Sequence, residues 1–99
     1  MSDLADQPED QGVPIQVPIT GELDLHTFRP SDLGNLIPAY LSECSRLGIH
    51  DVRIIHGKGT GTLRSTVHAL LRRNPLVASF RSGDETSGFW GATVVTLRR

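Results

Sequence analysis

Asp51-Val-Arg-Ile-Ile-His56-Gly57-Lys58-Gly59-Thr60-Gly61 decides the fold, because an apolar, β-branched strand here runs straight into a glycine-rich turn. Its nearly continuous apolar character is that expected of a strand covered on both faces of a sheet. Gly57, Gly59 and Gly61 allow backbone turns closed to other residues. Beyond them Leu63, Val67, Leu70 and Leu71 fall on one side of a helix that ends at Asn74-Pro75. Strand, glycine turn and helix together make an α/β unit, and a further strand, Leu76 to Arg81, implies a right-handed crossover with parallel pairing.

Upstream, Leu33, Leu36, Ile37, Tyr40, Leu41, Cys44 and Leu47 form one apolar helical stripe between Pro30, suited to a first helical turn, and Gly48, a natural stop. Pro38 predicts a kink in that helix or a restart with Asn35 as cap, and one kinked helix fits the unbroken stripe better. Before it, Glu22 to His26 alternates as a short strand, Leu23 and Leu25 on one face, Asp24 and His26 on the other. Downstream, Ser82 to Gly88 reads as a polar loop and Ala92 to Leu97 as a last strand, with the final two strands forming an antiparallel extension. The β-α-β-α-β-β order predicts a compact two-layer α/β sandwich over residues 22–99. An acidic, disordered tail (1–13) and an extended, proline-flanked arm (14–21) precede it.

A chain of 99 residues has room for one modest core. Its one cysteine, Cys44, cannot form an internal disulfide, and no zinc-ligand spacing is present, so a cytoplasmic setting is expected. No apolar run reaches the length of a bilayer span, and no membrane partner is expected. Net charge is −1, but residues 1–50 carry −6 and residues 51–99 carry +5. Such polarity focuses an anionic ligand onto one face, or else reflects an acidic tail on an ordinary surface.

The turn itself departs from both the nucleotide P-loop and the dinucleotide fingerprint. Its glycines support anion binding, with Lys58 adding charge, or simply a tight strand-to-helix connection. Asp24-Leu25-His26 adds the chemistry. In a parallel sheet, sites form at the carboxyl ends of strands, and His26 and His56 each end one. Two histidines, an acid and a lysine on one rim supply groups for proton transfer and charge stabilisation.

Leu23-Asp24-Leu25-His26, Val52-Arg-Ile-Ile-His-Gly-Lys-Gly-Thr-Gly61, Leu63-Arg64, Pro75-Leu-Val-Ala-Ser-Phe80 and Gly91-Ala-Thr-Val-Val95, in that order, resemble the Smr (small MutS-related) domain over roughly Glu22 to Leu97. The resemblance implies a sandwich similar to the C-terminal domain of translation initiation factor 3. It also implies endonuclease chemistry on RNA or DNA, with Asp24 and His26 in one motif and His56, Gly57 and Gly59 in a second. A third motif falls near Gly88-Phe89-Trp90-Gly91. Thr27, where the family has glycine, and Phe89, which interrupts the third motif, are departures.

On RNA, one of His26 and His56 would remove the 2′-hydroxyl proton and the other protonate the leaving oxygen, Lys58 and the loop amides stabilising the phosphorane and Asp24 orienting His26. On DNA, water would be the nucleophile. A divalent metal held by Asp24 and a histidine then becomes attractive, although the carboxylates are too few for a two-metal site and no resident cofactor is expected. Gly57, Gly59, Thr60, Gly61, Arg64, Arg72 and Trp90 are the expected nucleic-acid contacts. The rival is a module that binds nucleic acid without cutting it, along the stripe Arg64, His68 and Arg72 with Phe89 or Trp90 stacking on a base. A domain this small is expected to borrow substrate selection from a protein partner. Cys44, Tyr40 and Phe80 read as core, and His68 as an exposed helix residue without an evident partner.

Overall fold

Leu33, Leu36, Ile37, Tyr40, Leu41 and Cys44 recur at the spacing that lines one side of a helix, and all six are buried in α1 (Leu33–Arg46). The computed structural model describes residues 17–57, 61–83 and 91–99. Pro30 opens a 3₁₀ turn, Pro30–Asp32, ahead of the helix. Pro38 lies exposed inside α1, which runs through it as one helix. An interior proline costs about 3 kcal/mol. Six buried side chains, each contributing about 1.5–3 kcal/mol, outweigh it. The helix stops as Gly48 predicts: the Gly48 amide donates to Ser45 and the Ile49 amide to Cys44, satisfying the last carbonyls.

The sheet order is β1 (Glu22–Asp24), β2 (Asp51–Ile55), β4 (Ala92–Leu97), β3 (Val77–Ser82). β1 pairs parallel with β2, Leu23 opposite Ile54 and Asp24 opposite Ile55. β4 is antiparallel to both of its neighbours. The crossover through α2 (Thr62–Arg72) therefore carries the chain two strand positions over, and β2 and β3 run parallel with β4 between them. The last strand is thus not an extension at the edge. Ala92, Thr93, Val95 and Leu97 are all buried, and a central position is what buries such a strand.

One face of the sheet carries Leu23, Val52, Ile54, Val95 and Leu97, which form a single core with α1 and with Val67 and Leu71 of α2. On the other face Asp51 is exposed and Arg53 and Ile55 are half-buried. β2 is therefore covered on one side, not two, because both helices pack on the same face. Glu22 and Arg53, opposed across β1 and β2, form an ion pair on the open side.

The predicted tail and the arm up to residue 16 lie outside the described residues. Val17 and Ile19, at the end of the arm, pack on the core. Gly21 then turns the chain into β1 with φ +97°, and a Cβ there would meet the Asp51 carbonyl oxygen and Ile49 Cγ2 at 3.2 Å each. Gly21→Ala is expected to destabilise the domain by about 1–3 kcal/mol. A urea unfolding midpoint equal to wild type would contradict that expectation.

Candidate active site

Parallel pairing of β1 and β2 brings His26 and His56 out at adjacent carboxyl ends, with the Leu25 amide still donating to the Ile55 carbonyl at 2.9 Å. The two rings nevertheless sit in different surroundings. His26 has left the sheet in a turn and its side chain is 76% exposed. His56 continues the alternation of β2, falls on the helix side with Ile54, and is 6% exposed.

Asp24 holds His26 twice. Its Oδ1 accepts the His26 backbone amide at 3.0 Å and pairs with His26 Nδ1 at 3.0 Å. This is the local turn that a short acidic side chain forms two residues ahead. The backbone hydrogen bond from His26, then the ring hydrogen bond, then the charge of His26 hold the Asp24 carboxyl below its ordinary range. A carboxylate can only accept, so Nδ1 carries the hydrogen and, in the neutral ring, Nε2 is left as a base. Nε2 has no partner among the described residues.

His56 is bonded at both ring nitrogens. Nδ1 lies 3.0 Å from the Gly57 carbonyl oxygen and Nε2 2.9 Å from Thr93 Oγ1. The His56 and Gly57 amides both donate to the Gly91 carbonyl at 2.9 Å, which ties the end of β2 to the start of β4. Gly57 and Gly61, the described ends of the loop, have φ of +80° and +91°, as the glycine spacing anticipates. Lys58, Gly59 and Thr60 lie outside the described residues, as do Phe89 and Trp90.

α2 begins at Thr62, directly after the loop, so the positive end of its dipole faces the rim where both histidines emerge. Its first turn holds no acidic residue and carries Arg64, a cation where the dipole disfavours one. The Arg64 guanidinium donates to Ser82 Oγ of β3 at 2.9 Å. Arg72 stands exposed in the last turn, where a cation suits the dipole, and is not brought to the loop.

His68 departs from the sequence reading. Instead of facing solvent, it is half-buried, with Nε2 2.9 Å from Thr93 Oγ1 and its ring edge-on to Phe80 at 4.9 Å between centroids. One turn of helix past Arg64, it flanks the buried Val67 and Leu71, and its neighbourhood to that stripe was the signal available in the sequence. Thr93, a hydroxyl in the same inward register as Val95 and Leu97, was the other. Burial pushes the His68 imidazole down, and the charges of Arg64, His56 and Arg72 act in the same direction. The unfolded chain therefore takes up the His68 proton near 6.5 while the folded one resists it, so stability falls as pH drops below that value. Between about pH 7 and about pH 5 the unfolding free energy of wild type is expected to fall more steeply than that of His68→Phe. Parallel curves would contradict this.

Among the described residues no three His, Cys, Asp or Glu side chains gather as a metal site, and no helix is long and apolar enough to cross a membrane. Cys44 is a buried thiol raised by desolvation and packed on the core.

Comparison with known proteins gives a consistent result. The family model for the Smr domain matches residues 23–98. Endonuclease MutS2 of Ruminiclostridium cellulolyticum is 42% identical over 77 residues, covering 78% of this chain and 10% of that protein. Endonuclease MutS2 of Halalkalibacterium halodurans is 46% identical over 77 residues, with the same coverage. The chain thus spans about a tenth of the length of these relatives. Among solved structures, the Smr domain of Thermus thermophilus MutS2 superposes with a TM-score of 0.75 at 36% identity, covering 81% of this chain and 100% of that one. YdaL, a stand-alone small MutS-related protein from Escherichia coli, gives 0.74 at 25% identity, covering 80% and 65%.

Proposed function

The chain belongs to the Smr domain family, and on that premise we propose that it is a cytoplasmic nucleic-acid endonuclease, cleaving or nicking phosphodiester bonds with His26 as its proton-transfer group. The observation that carries this reading is the Asp24–His26 pair: an exposed imidazole whose Nδ1 is engaged by a carboxylate, so that its Nε2 faces solvent as a base. The curated relatives bear the name endonuclease, although this chain matches a tenth of each.

On RNA, His26 Nε2 takes the proton of the 2′-hydroxyl, whose oxygen attacks the adjacent phosphorus. The oxygen of the next nucleotide leaves with the bonding pair and is protonated by water. Arg64, the start of α2 and Lys58 stabilise the phosphorane charge, and Gly57, Gly59, Thr60 and Gly61 admit the phosphate. Asp24 keeps His26 in the productive tautomer. His56, buried and bonded at both nitrogens, is read as a positioning group for the loop and not as the second acid. This route uses no metal, and selection among nucleic acids is assigned to a protein partner.

Incubating the purified protein with labelled RNA and DNA single strands, with and without chelator, beside His26→Ala, tests the proposal. RNA cleavage that survives chelator and disappears in the variant supports it. Strands bound in a salt-dependent way but recovered intact favour the binding module, which the placement of Arg64 also suits.

A further inference from the structure

The loop proposed to admit phosphate is entered at Gly57, and what holds that residue is a chain of side chains reaching across the domain. Resting on the reading above, we propose that Thr93 and His68 are positioning residues: they hold His56 in one tautomer and, through it, clamp the Gly57 carbonyl at the mouth of the glycine loop.

The order of hydrogens follows from one acceptor. The Gly57 carbonyl can only accept, so His56 Nδ1 carries a hydrogen and, in the neutral ring, Nε2 is bare. The Thr93 hydroxyl must then donate to His56 Nε2, at 2.9 Å. Its oxygen is left as an acceptor, and His68 Nε2, also at 2.9 Å, donates to it. Each member thus fixes the next. Thr93 is fully buried, so a hydroxyl there without partners would carry the cost of an unsatisfied polar group, about 1–3 kcal/mol. The imidazoles lie 6.4 Å apart, centroid to centroid, at 78°, with the hydroxyl bridging them.

Each end of the chain is anchored in a different element. His68 is held on α2 by its edge contact with Phe80 of β3, and Arg64 one turn earlier is bonded to Ser82 of the same strand. Thr93 stands two residues after Gly91, whose carbonyl takes both the His56 and the Gly57 amides. Backbone and side chain therefore converge on the same point, and the loop mouth is tied at once to α2, β3 and β4. Among the described residues, no hydrogen bond or ring contact joins Thr93 or His68 to His26 or Asp24. Loss of the clamp should accordingly weaken capture of the phosphate backbone and leave the proton-transfer step to His26.

Thr93→Val keeps the shape and removes the hydroxyl, and Thr93→Ser restores it. For a labelled single-stranded oligonucleotide, Thr93→Val is expected to raise KM, and the Kd measured on an uncleavable analogue, by about 10- to 100-fold, with kcat changed far less. Thr93→Ser should recover most of the loss, and His68→Phe should weaken binding in the same direction. Nitrogen-15 NMR of the full chain should show His56 protonated at Nδ1 and bare at Nε2 in wild type, and no longer held in that single form in Thr93→Val. A wild-type His56 protonated at Nε2 alone overturns the clamp, as does a Thr93→Val protein matching wild type in tautomer and in Kd. Tautomer and Kd are read without cleavage, so a wild-type protein that shows both and cuts nothing rejects the nuclease reading while supporting the clamp.

Discussion

Replacing His26 by alanine is expected to lower phosphodiester cleavage by about 10²- to 10⁴-fold, the usual contribution of one positioned acid–base group, and to leave the domain folded. The separation of the two effects comes from where the ring sits. The His26 side chain is 76% exposed and bonds, among the described residues, to Asp24 two residues earlier. Truncating an exposed side chain of this kind moves stability by no more than about 0.5 kcal/mol. Asp24 should act through His26. Asp24→Asn keeps an acceptor oxygen but loses the charge that favours the hydrogen on Nδ1, so its activity should fall between wild type and His26→Ala. The measurement is initial cleavage rate beside a urea midpoint for each protein. Undiminished cleavage by folded His26→Ala would remove His26 from the chemistry.

Tyr40 should show the largest effect on stability. It is completely buried, and its hydroxyl serves two backbone groups at once, accepting the Gly21 amide at 3.1 Å and donating to the Glu22 carbonyl at 3.1 Å. Tyr40→Ala is expected to cost about 3–5 kcal/mol through the cavity it opens, a large share of the 5–15 kcal/mol that holds a typical domain folded. Tyr40→Phe keeps the ring and leaves the two backbone groups without their partner, at about 1–3 kcal/mol. The conservative variant matters for the site as well. β1 has three residues and lies at the sheet edge, so its anchoring decides where Asp24 and His26 emerge. Hydrogen exchange at the Leu23 and Leu25 amides should accelerate in Tyr40→Phe beyond what its global stability predicts. A Phe variant with an unchanged urea midpoint would show that the two hydrogen bonds contribute nothing net.

Periodicity made most of the fold legible. The stripe from Leu33 to Cys44 marks α1 in spite of Pro38, because six apolar positions repeat where a single proline interrupts. Gly48 marks its end, and the alternation of Leu23 with Asp24 marks β1. The insertion of β4 between β2 and β3 was not legible, since a strand's neighbours depend on how far a crossover reaches and not on its own residues. The one-sided burial of β2 was hidden for the same reason: Ile55 is as apolar as Ile54, and only the placement of both helices on one face leaves Ile55 partly uncovered.

By itself, the sequence established the kind and order of the elements and the resemblance to an Smr domain, because these follow from local spacing and ordered motifs, but it ended β1 at His26, two residues beyond the observed Asp24. Only the tertiary structure separated the two histidines, leaving His26 in solvent on Asp24 and burying His56 against Thr93. It also turned His68 inward from the stripe shared with Arg64 and Arg72. A ring's environment is set by what packs over it, and for His56 and His68 that is the contact between α2 and a strand more than twenty residues further along the chain.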